Sequence, residues 1–119
     1  MTTQDLVETW FALWESGHYE ALPLAEDFTH TSPFGTIEGK QAYLDLVRQN
    51  EEKFLGQTFE LNDALYGIDR ACVRYTARQG SDFSLVVSEW HYVKDGLIAH
   101  IVAYYHIGEI REERTLKTE

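Results

Sequence analysis

The chain has 119 residues, a formal net charge of −10 at pH 7 and a single cysteine, Cys72. This length predicts one domain that buries roughly two thirds of its unfolded surface without cross-links. The negative charge repels phosphate groups and argues against nucleic acid or anionic lipid as a partner. A lone cysteine excludes an internal disulfide framework and a thiolate metal cluster.

The distribution of polar and apolar residues bears on the location of the protein and on its ligands. Residues 1–5 are polar and acidic, and no uncharged run approaches the length of a membrane span, so we expect a cytoplasmic protein with no membrane partner. Seven Tyr, six Phe and three Trp side chains suit an aromatic cavity for a small apolar molecule, or equally the filling of an ordinary core.

Apolar residues at helical spacing predict a helix over residues 3–16 that ends at Gly17. A short second helix is expected from residue 18 to about 24. A third helical pattern extends from residue 40 to about 55, where Gly56 ends it. These patterns place three helices in the first half of the chain.

A short segment between the second and third helices carries a histidine and a hydroxyl. Phe28, His30 and Ser32 alternate, so an extended strand points all three side chains to one face, and Pro33 then ends the pairing of that strand. We expect this face to contribute to a site.

After Gly56 the hydrophobic period changes to two, which predicts four long antiparallel strands over residues 59–65, 71–78, 83–94 and 97–107. The last eleven residues, 109–119, include seven charged side chains and are expected to form a mobile tail outside the domain, which we place at residues 1–108.

The turn of the last hairpin decides which side chains share a face. A two-residue turn at Asp95-Gly96 places His91 opposite His100, whereas a three-residue turn with Gly96 as a bulge places His91 opposite Ala99. We prefer the bulge because it gives one continuous apolar face.

The preferred register also sets Glu89 opposite Ile101. Glu89 and His91 then become the ionisable groups on the inner face of the last two strands, the face that is expected to enclose the core. A carboxylate and an imidazole in a dry environment are suited to proton transfer beside a carbonyl group.

The order of elements resembles the nuclear transport factor 2-like superfamily, in particular its SnoaL-like and ketosteroid isomerase-like branches. The resemblance covers residues 3–108 and rests on four segments, residues 25–33, 35–40, 73–77 and 95–98. It implies an α+β cone in which a curved, mostly antiparallel sheet wraps three helices around a deep apolar pocket. It also implies a homodimer through the outer face of the sheet.

The known mechanisms of these branches do not transfer intact. The ketosteroid isomerases carry an aspartate before the strand proline, where this chain has Ser32, and their oxyanion-hole tyrosine falls near Trp10. Their neutral pocket aspartate falls near Glu89. The acidic residue on the last strand of SnoaL-type cyclases falls near Ala103. A branch similar to scytalone dehydratase uses pocket histidines, which His30 and His91 match by residue type.

We therefore take His30, Glu89 and His91 as candidate catalytic residues. The alternative is that Glu89 pairs with His91, or with Arg74 if that strand faces inward, to satisfy buried polarity. The candidate binding residues around them are Trp10, Phe28, Ser32, Tyr43, Val73, Tyr75, Ile101 and Tyr105.

Two functions remain open at this point. The first is a cofactor-free isomerase, cyclase or dehydratase acting on a small carbonyl or polyketide-like compound. The second is a ligand-binding or structural dimer in which the catalytic base of the family is lost. No cofactor or metal site is expected, since close ligand pairs are missing. The expected dimer face carries Val86, Trp90, Tyr92, Val102 and Tyr104.

Overall fold

Six strands form one sheet in the order β2-β1-β6-β5-β4-β3 in a computed structural model that describes residues 1–106. All neighbouring strands are antiparallel except β1 and β6, which are parallel. The elements are α1 (Thr3–Ser16), a 3₁₀ turn (Tyr19–Ala21), β1 (Leu24–Ser32), β2 (Gly35–Glu38), α2 (Lys40–Gln49), α3 (Glu51–Phe54), β3 (Gln57–Tyr66), β4 (Arg70–Gln79), β5 (Phe83–Lys94) and β6 (Leu97–Tyr104). The predicted α+β class, with a curved and mostly antiparallel sheet and three helices, is confirmed.

The first helix is defined at both ends by local chemistry. Thr2 and Asp5 form a capping box, in which each side chain accepts a hydrogen bond from the backbone N–H of the other residue. Gly17 ends the helix in the left-handed conformation, which glycine adopts without steric cost. The buried stripe of α1 packs on the sheet and comprises Leu6, Val7, Trp10, Phe11 and Trp14.

Two of the predicted helices differ from the structure. The second helix is only one 3₁₀ turn, because β1 already begins at Leu24. The third is divided at Asn50, whose backbone leaves the helical region with a φ of −132°. The buried Asn50 side chain donates a hydrogen bond to the carbonyl of Leu46, a local alternative to the helical ladder. The divided helix leaves α3 as a separate short segment.

The turn of the last hairpin contains two residues, so the predicted bulge at Gly96 is wrong. Asp95 and Gly96 both have positive φ angles, 54° and 76°, which is the requirement of a tight type I′ hairpin turn. The register shift lies instead between Tyr92 and Val93, opposite Ala99.

The bulge at Ala99 changes the cross-strand partners of Glu89 and His91 but leaves both side chains on the predicted face of the sheet. His91 lies opposite Ile101 rather than Ala99, and Glu89 lies opposite Ala103. Each partner moves by two residues along β6, and a shift of two residues returns a side chain to the same face. The predicted placement of Glu89 and His91 on the inner face is therefore confirmed, with His100 on the opposite face.

The helices α1 and α2 cover part of the inner face and leave the rest open. Near β1, Trp10 and Tyr43 contact Phe28, which is fully buried. No helix within residues 1–106 is long and apolar enough to cross a membrane. The predicted tail at 109–119 and the domain boundary at 108 lie outside the described residues.

Candidate functional site

A cavity of about 540 Å³ opens between the inner face of the sheet and the helices. Its wall is mostly aromatic and aliphatic, with polar groups from β1, β5 and α3. Such a container, apolar with a few convergent polar side chains, is typical of a small-molecule site.

Seven of the eleven candidate site residues line this cavity. They are Trp10, His30, Ser32, Tyr43, Tyr75, Glu89 and Tyr105. Two of them, His30 and Glu89, are candidate catalytic residues. The strand before Pro33 and the inner face of β5 therefore contribute candidate catalytic side chains to the same cavity.

The other four candidates, Phe28, Val73, His91 and Ile101, are at most 1% exposed and are not on the cavity wall. They are buried in the core, where the Trp10 ring packs against Phe28 and His91. The Trp10 ring lies edge-on to His91, with ring centroids 5.6 Å apart, and the Phe11 ring lies 6.1 Å away.

The Glu89 carboxyl group is nearly buried, with the residue 2% exposed, and both of its oxygens have partners. Oε1 lies 2.9 Å from His91 Nε2, and Oε2 accepts a hydrogen bond from the Tyr75 hydroxyl at 3.0 Å. His91 is two residues along the same strand and therefore on the same face. Tyr75 is a diagonal neighbour on β4, within reach of a long side chain.

Arg74 does not take part in this network. It is exposed on the outer face and donates a hydrogen bond to the Ser88 hydroxyl at 3.1 Å. Glu89 thus pairs with His91 and not with Arg74.

Three tyrosines of the cavity remain protonated at neutral pH. Burial, followed by the charge of Glu89, raises the pKa of Tyr43 and of Tyr75 well above the ordinary value. Burial also raises the pKa of Tyr105, although its hydrogen bond with Ser32 acts in the opposite direction. A protonated phenol can donate a hydrogen bond, as Tyr75 does to Glu89.

His30 faces the cavity as a neutral imidazole at pH 7. Its ring stacks on Tyr43, with centroids 5.0 Å apart. Burial lowers the pKa of His30, and the nearby Glu89 charge opposes this effect without cancelling it. A neutral imidazole beside an apolar cavity can accept a proton from a bound molecule.

The sequence analysis did not identify several residues of the cavity wall that β3, β5 and α3 form. Phe59, Phe83 and Leu85 line the cavity, and their alternation with polar neighbours was a usable signal for the inner face. Lys53 on α3 and Gln57 at the start of β3 also line it, and no sequence pattern marked them.

Among residues 1–106, no three His, Cys, Asp or Glu side chains are arranged to hold one metal ion. The polar side chains on the cavity wall carry imidazole, carboxylate, phenol, hydroxyl, ammonium and amide groups.

The family model of the SnoaL-like domain matches residues 7–101. The chain therefore belongs to the SnoaL-like domain family, within the nuclear transport factor 2-like superfamily. This assignment confirms the resemblance found in the sequence. No curated protein matches the chain.

Several solved structures share the fold. A candidate ketosteroid isomerase from Kribbella flavida is 27% identical, with a TM-score of 0.74, over 87% of this chain and 77% of that chain. A candidate polyketide cyclase from Xanthomonas campestris is 18% identical, with a TM-score of 0.75, over 95% and 96% of the two chains. An LEH-like epoxide hydrolase from M. tuberculosis is 17% identical, with a TM-score of 0.74, over 91% and 86%.

The depressed pKa of His30 predicts a loss of stability in acid. In the unfolded chain His30 titrates near its ordinary pKa of about 6.5, so the unfolded state binds more protons than the folded state below that pH. The contribution of neutral His30 is present above pH 6.5 and is lost as the pH falls. We expect the free energy of unfolding of His30→Phe, which retains a ring to stack on Tyr43, to fall less between pH 7 and pH 5 than that of the wild type.

Urea titrations at several pH values measure this difference. His18 is exposed, so His18→Phe is the matched control and should retain the wild-type pH dependence. An identical pH dependence in the wild type and His30→Phe would show that His30 is not held neutral by burial.

Proposed function

We propose that this protein is a cofactor-free acid/base enzyme that isomerises, cyclises or dehydrates a small carbonyl or polyketide-like compound. The observation that carries the proposal is a nearly buried carboxylate, Glu89, on the wall of an apolar cavity that also presents the neutral His30. A histidine with a perturbed pKa that faces a cavity beside a carboxylate is typical of proton-transfer sites.

In the proposed mechanism His30 is the group that moves the proton. Its neutral ring accepts a proton from the carbon next to the substrate carbonyl, and the electron pair of that C–H bond passes to the carbonyl oxygen to form an enolate. The charge of Glu89 then stabilises the imidazolium, in keeping with its upward effect on the pKa of His30. His30 returns the proton at a second atom of the substrate.

The phenol of Tyr105 is the proposed donor to the carbonyl oxygen. Tyr105 lines the cavity, and its raised pKa keeps the hydroxyl protonated at neutral pH. A neutral donor that faces a developing oxyanion in a water-poor site lowers the barrier to enolate formation. Ser32, which hydrogen bonds with Tyr105, is proposed to orient this donor.

The similarity to proteins described as a candidate ketosteroid isomerase and a candidate polyketide cyclase supports this class of chemistry. The acids expected from those branches are replaced by Ser32 and Ala103. In this proposal the proton transfer is carried out by His30, with Glu89 as its electrostatic partner.

The alternative is a ligand-binding protein without turnover. One observation favours it: both oxygens of Glu89 already have partners within the protein, His91 and Tyr75. A carboxylate satisfied in this way is also what a purely structural role requires.

Exchange of the acidic protons of 2-tetralone for deuterium separates these alternatives. This bicyclic ketone is small enough for the cavity, and the exchange in D₂O is followed by NMR. We expect the wild type to accelerate exchange over buffer, and Glu89→Gln and His30→Gln each to lower kcat by roughly a hundredfold or more, the scale for a positioned proton-transfer group.

The control for this experiment is His18→Gln, which removes an exposed imidazole and should leave the rate unchanged. Saturable binding of 2-tetralone with no accelerated exchange would favour the ligand-binding alternative. Exchange that persists unchanged in both Glu89→Gln and His30→Gln would remove these residues from the mechanism.

We also propose that the outer face of the sheet forms a homodimer. Val86, Trp90 and Tyr104 are each more than a third exposed there, and Trp90 stacks on Tyr92 at 6.2 Å. Together with the partly exposed Val102 they place large apolar side chains on the outer face of β5 and β6, which costs free energy in water unless a partner covers them.

The dimer is tested by replacing Trp90 with Glu, which places a charge in the proposed interface. We expect sedimentation of the wild type as a dimer at micromolar concentration and of Trp90→Glu as a folded monomer. Ile68 is 98% exposed in the β3–β4 turn, so Ile68→Glu is the control and should remain dimeric. A monomeric wild type, or a dimeric Trp90→Glu, would contradict the proposed interface.

A further inference from the structure

The Nδ1 atom of His91 is buried and has no hydrogen-bond partner within residues 1–106. His91 has no exposed surface, and its neighbours across the sheet are Ala71 and Ile101. The α1 side chains that cover it are aromatic, Trp10 and Phe11. None of these side chains is an acceptor for a proton on Nδ1, and the Trp10 indole N–H, which is a donor, does not hydrogen bond to it, so the orphaned atom restricts where the proton of the ring can be.

Three arrangements of the protons between His91 and Glu89 satisfy the 2.9 Å contact at Nε2. In an imidazolium, and in a ring that accepts a proton from a neutral Glu89 carboxyl group, Nδ1 carries a hydrogen with no acceptor. In a neutral ring protonated on Nε2, Nδ1 holds only a lone pair. Buried N–H groups without an acceptor are rarer than under-satisfied acceptors, and a charged one is the most costly.

We infer that His91 is a positioning residue whose neutral ring, protonated on Nε2, donates to Glu89 and together with the Tyr75 hydroxyl holds the Glu89 carboxylate as an anion at the cavity wall. Each carboxylate oxygen then accepts one hydrogen bond from a neutral donor. Both donors restrict the rotation of the carboxyl group, so the position of its charge relative to the cavity is constant.

The charge state of the His91–Glu89 pair is inferred from the structure alone, whereas its consequence for turnover rests on the proposed function. If His30 moves the proton, the anion provided by Glu89 is the group that stabilises the imidazolium formed at His30. His91 does not contact the ligand, because Trp10 and Phe11 separate it from the cavity. Its effect on turnover passes through Glu89.

NMR of the full chain labelled with ¹⁵N tests the charge state without any substrate. A long-range ¹H–¹⁵N spectrum at pH 7, assigned with His91→Gln, should show His91 Nε2 protonated and Nδ1 unprotonated. The ¹³C shift of the Glu89 carboxyl carbon, assigned with Glu89→Gln, should be that of an ionised group. A proton on Nδ1, or a protonated Glu89, would overturn the inference.

A pair of His91 variants tests the positioning role. The side-chain amide of His91→Gln retains an N–H donor for Glu89, whereas His91→Leu has similar bulk and no donor. In the 2-tetralone exchange assay we expect His91→Leu to lower kcat by on the order of tenfold, the scale for losing a hydrogen bond to a charged group, with little change in KM. His91→Gln should restore most of the rate.

The outcomes separate the two claims. Equal values of kcat in His91→Gln and His91→Leu would overturn the positioning role, even if the wild type is active. A wild type that shows the expected NMR signals but no exchange would overturn the proposed function and leave the charge state of the pair intact.

Discussion

A carboxylate buried in an apolar cavity is the feature on which the rest of the site depends. An ionised carboxyl group loses several kcal/mol of hydration when it is buried, so it persists only where donors replace water. The sheet supplies these donors from two places: Tyr75 lies diagonally across on β4, and His91 lies two residues along on β5. The same charge then acts on His30 and on the cavity tyrosines.

The face of the sheet on which each side chain lies was largely predictable from the sequence, because side chains alternate between the two faces along a strand. Alternation along each strand assigns a side chain to a face, and the bulge opposite Ala99 shifts partners by two residues without exchanging faces. Glu89 and His91 were therefore placed on the correct face although their partners were wrong. The length of the turn depends on the φ angles of Asp95 and Gly96, which the residue types Asp-Gly favour but do not determine.

Depth below the surface was not readable from the sequence. Phe28, His30 and Ser32 share a face, yet Phe28 is fully buried while His30 and Ser32 line the cavity. The difference comes from α1, whose Trp10 ring covers Phe28 and His91. Where a helix crosses a sheet is a property of three-dimensional packing, and strand periodicity carries no information on it.

A crystal structure of the protein with 2-naphthol, a planar analogue of the enol of 2-tetralone, tests most directly whether the polar groups inside the cavity receive a carbonyl oxygen. The account predicts that the naphthol rings lie in the cavity with the oxygen within hydrogen-bond distance of the Tyr105 hydroxyl or the His30 ring, and with His91 still covered by Trp10. A naphthol bound with its oxygen beside Lys53, or bound outside the cavity, would contradict the account.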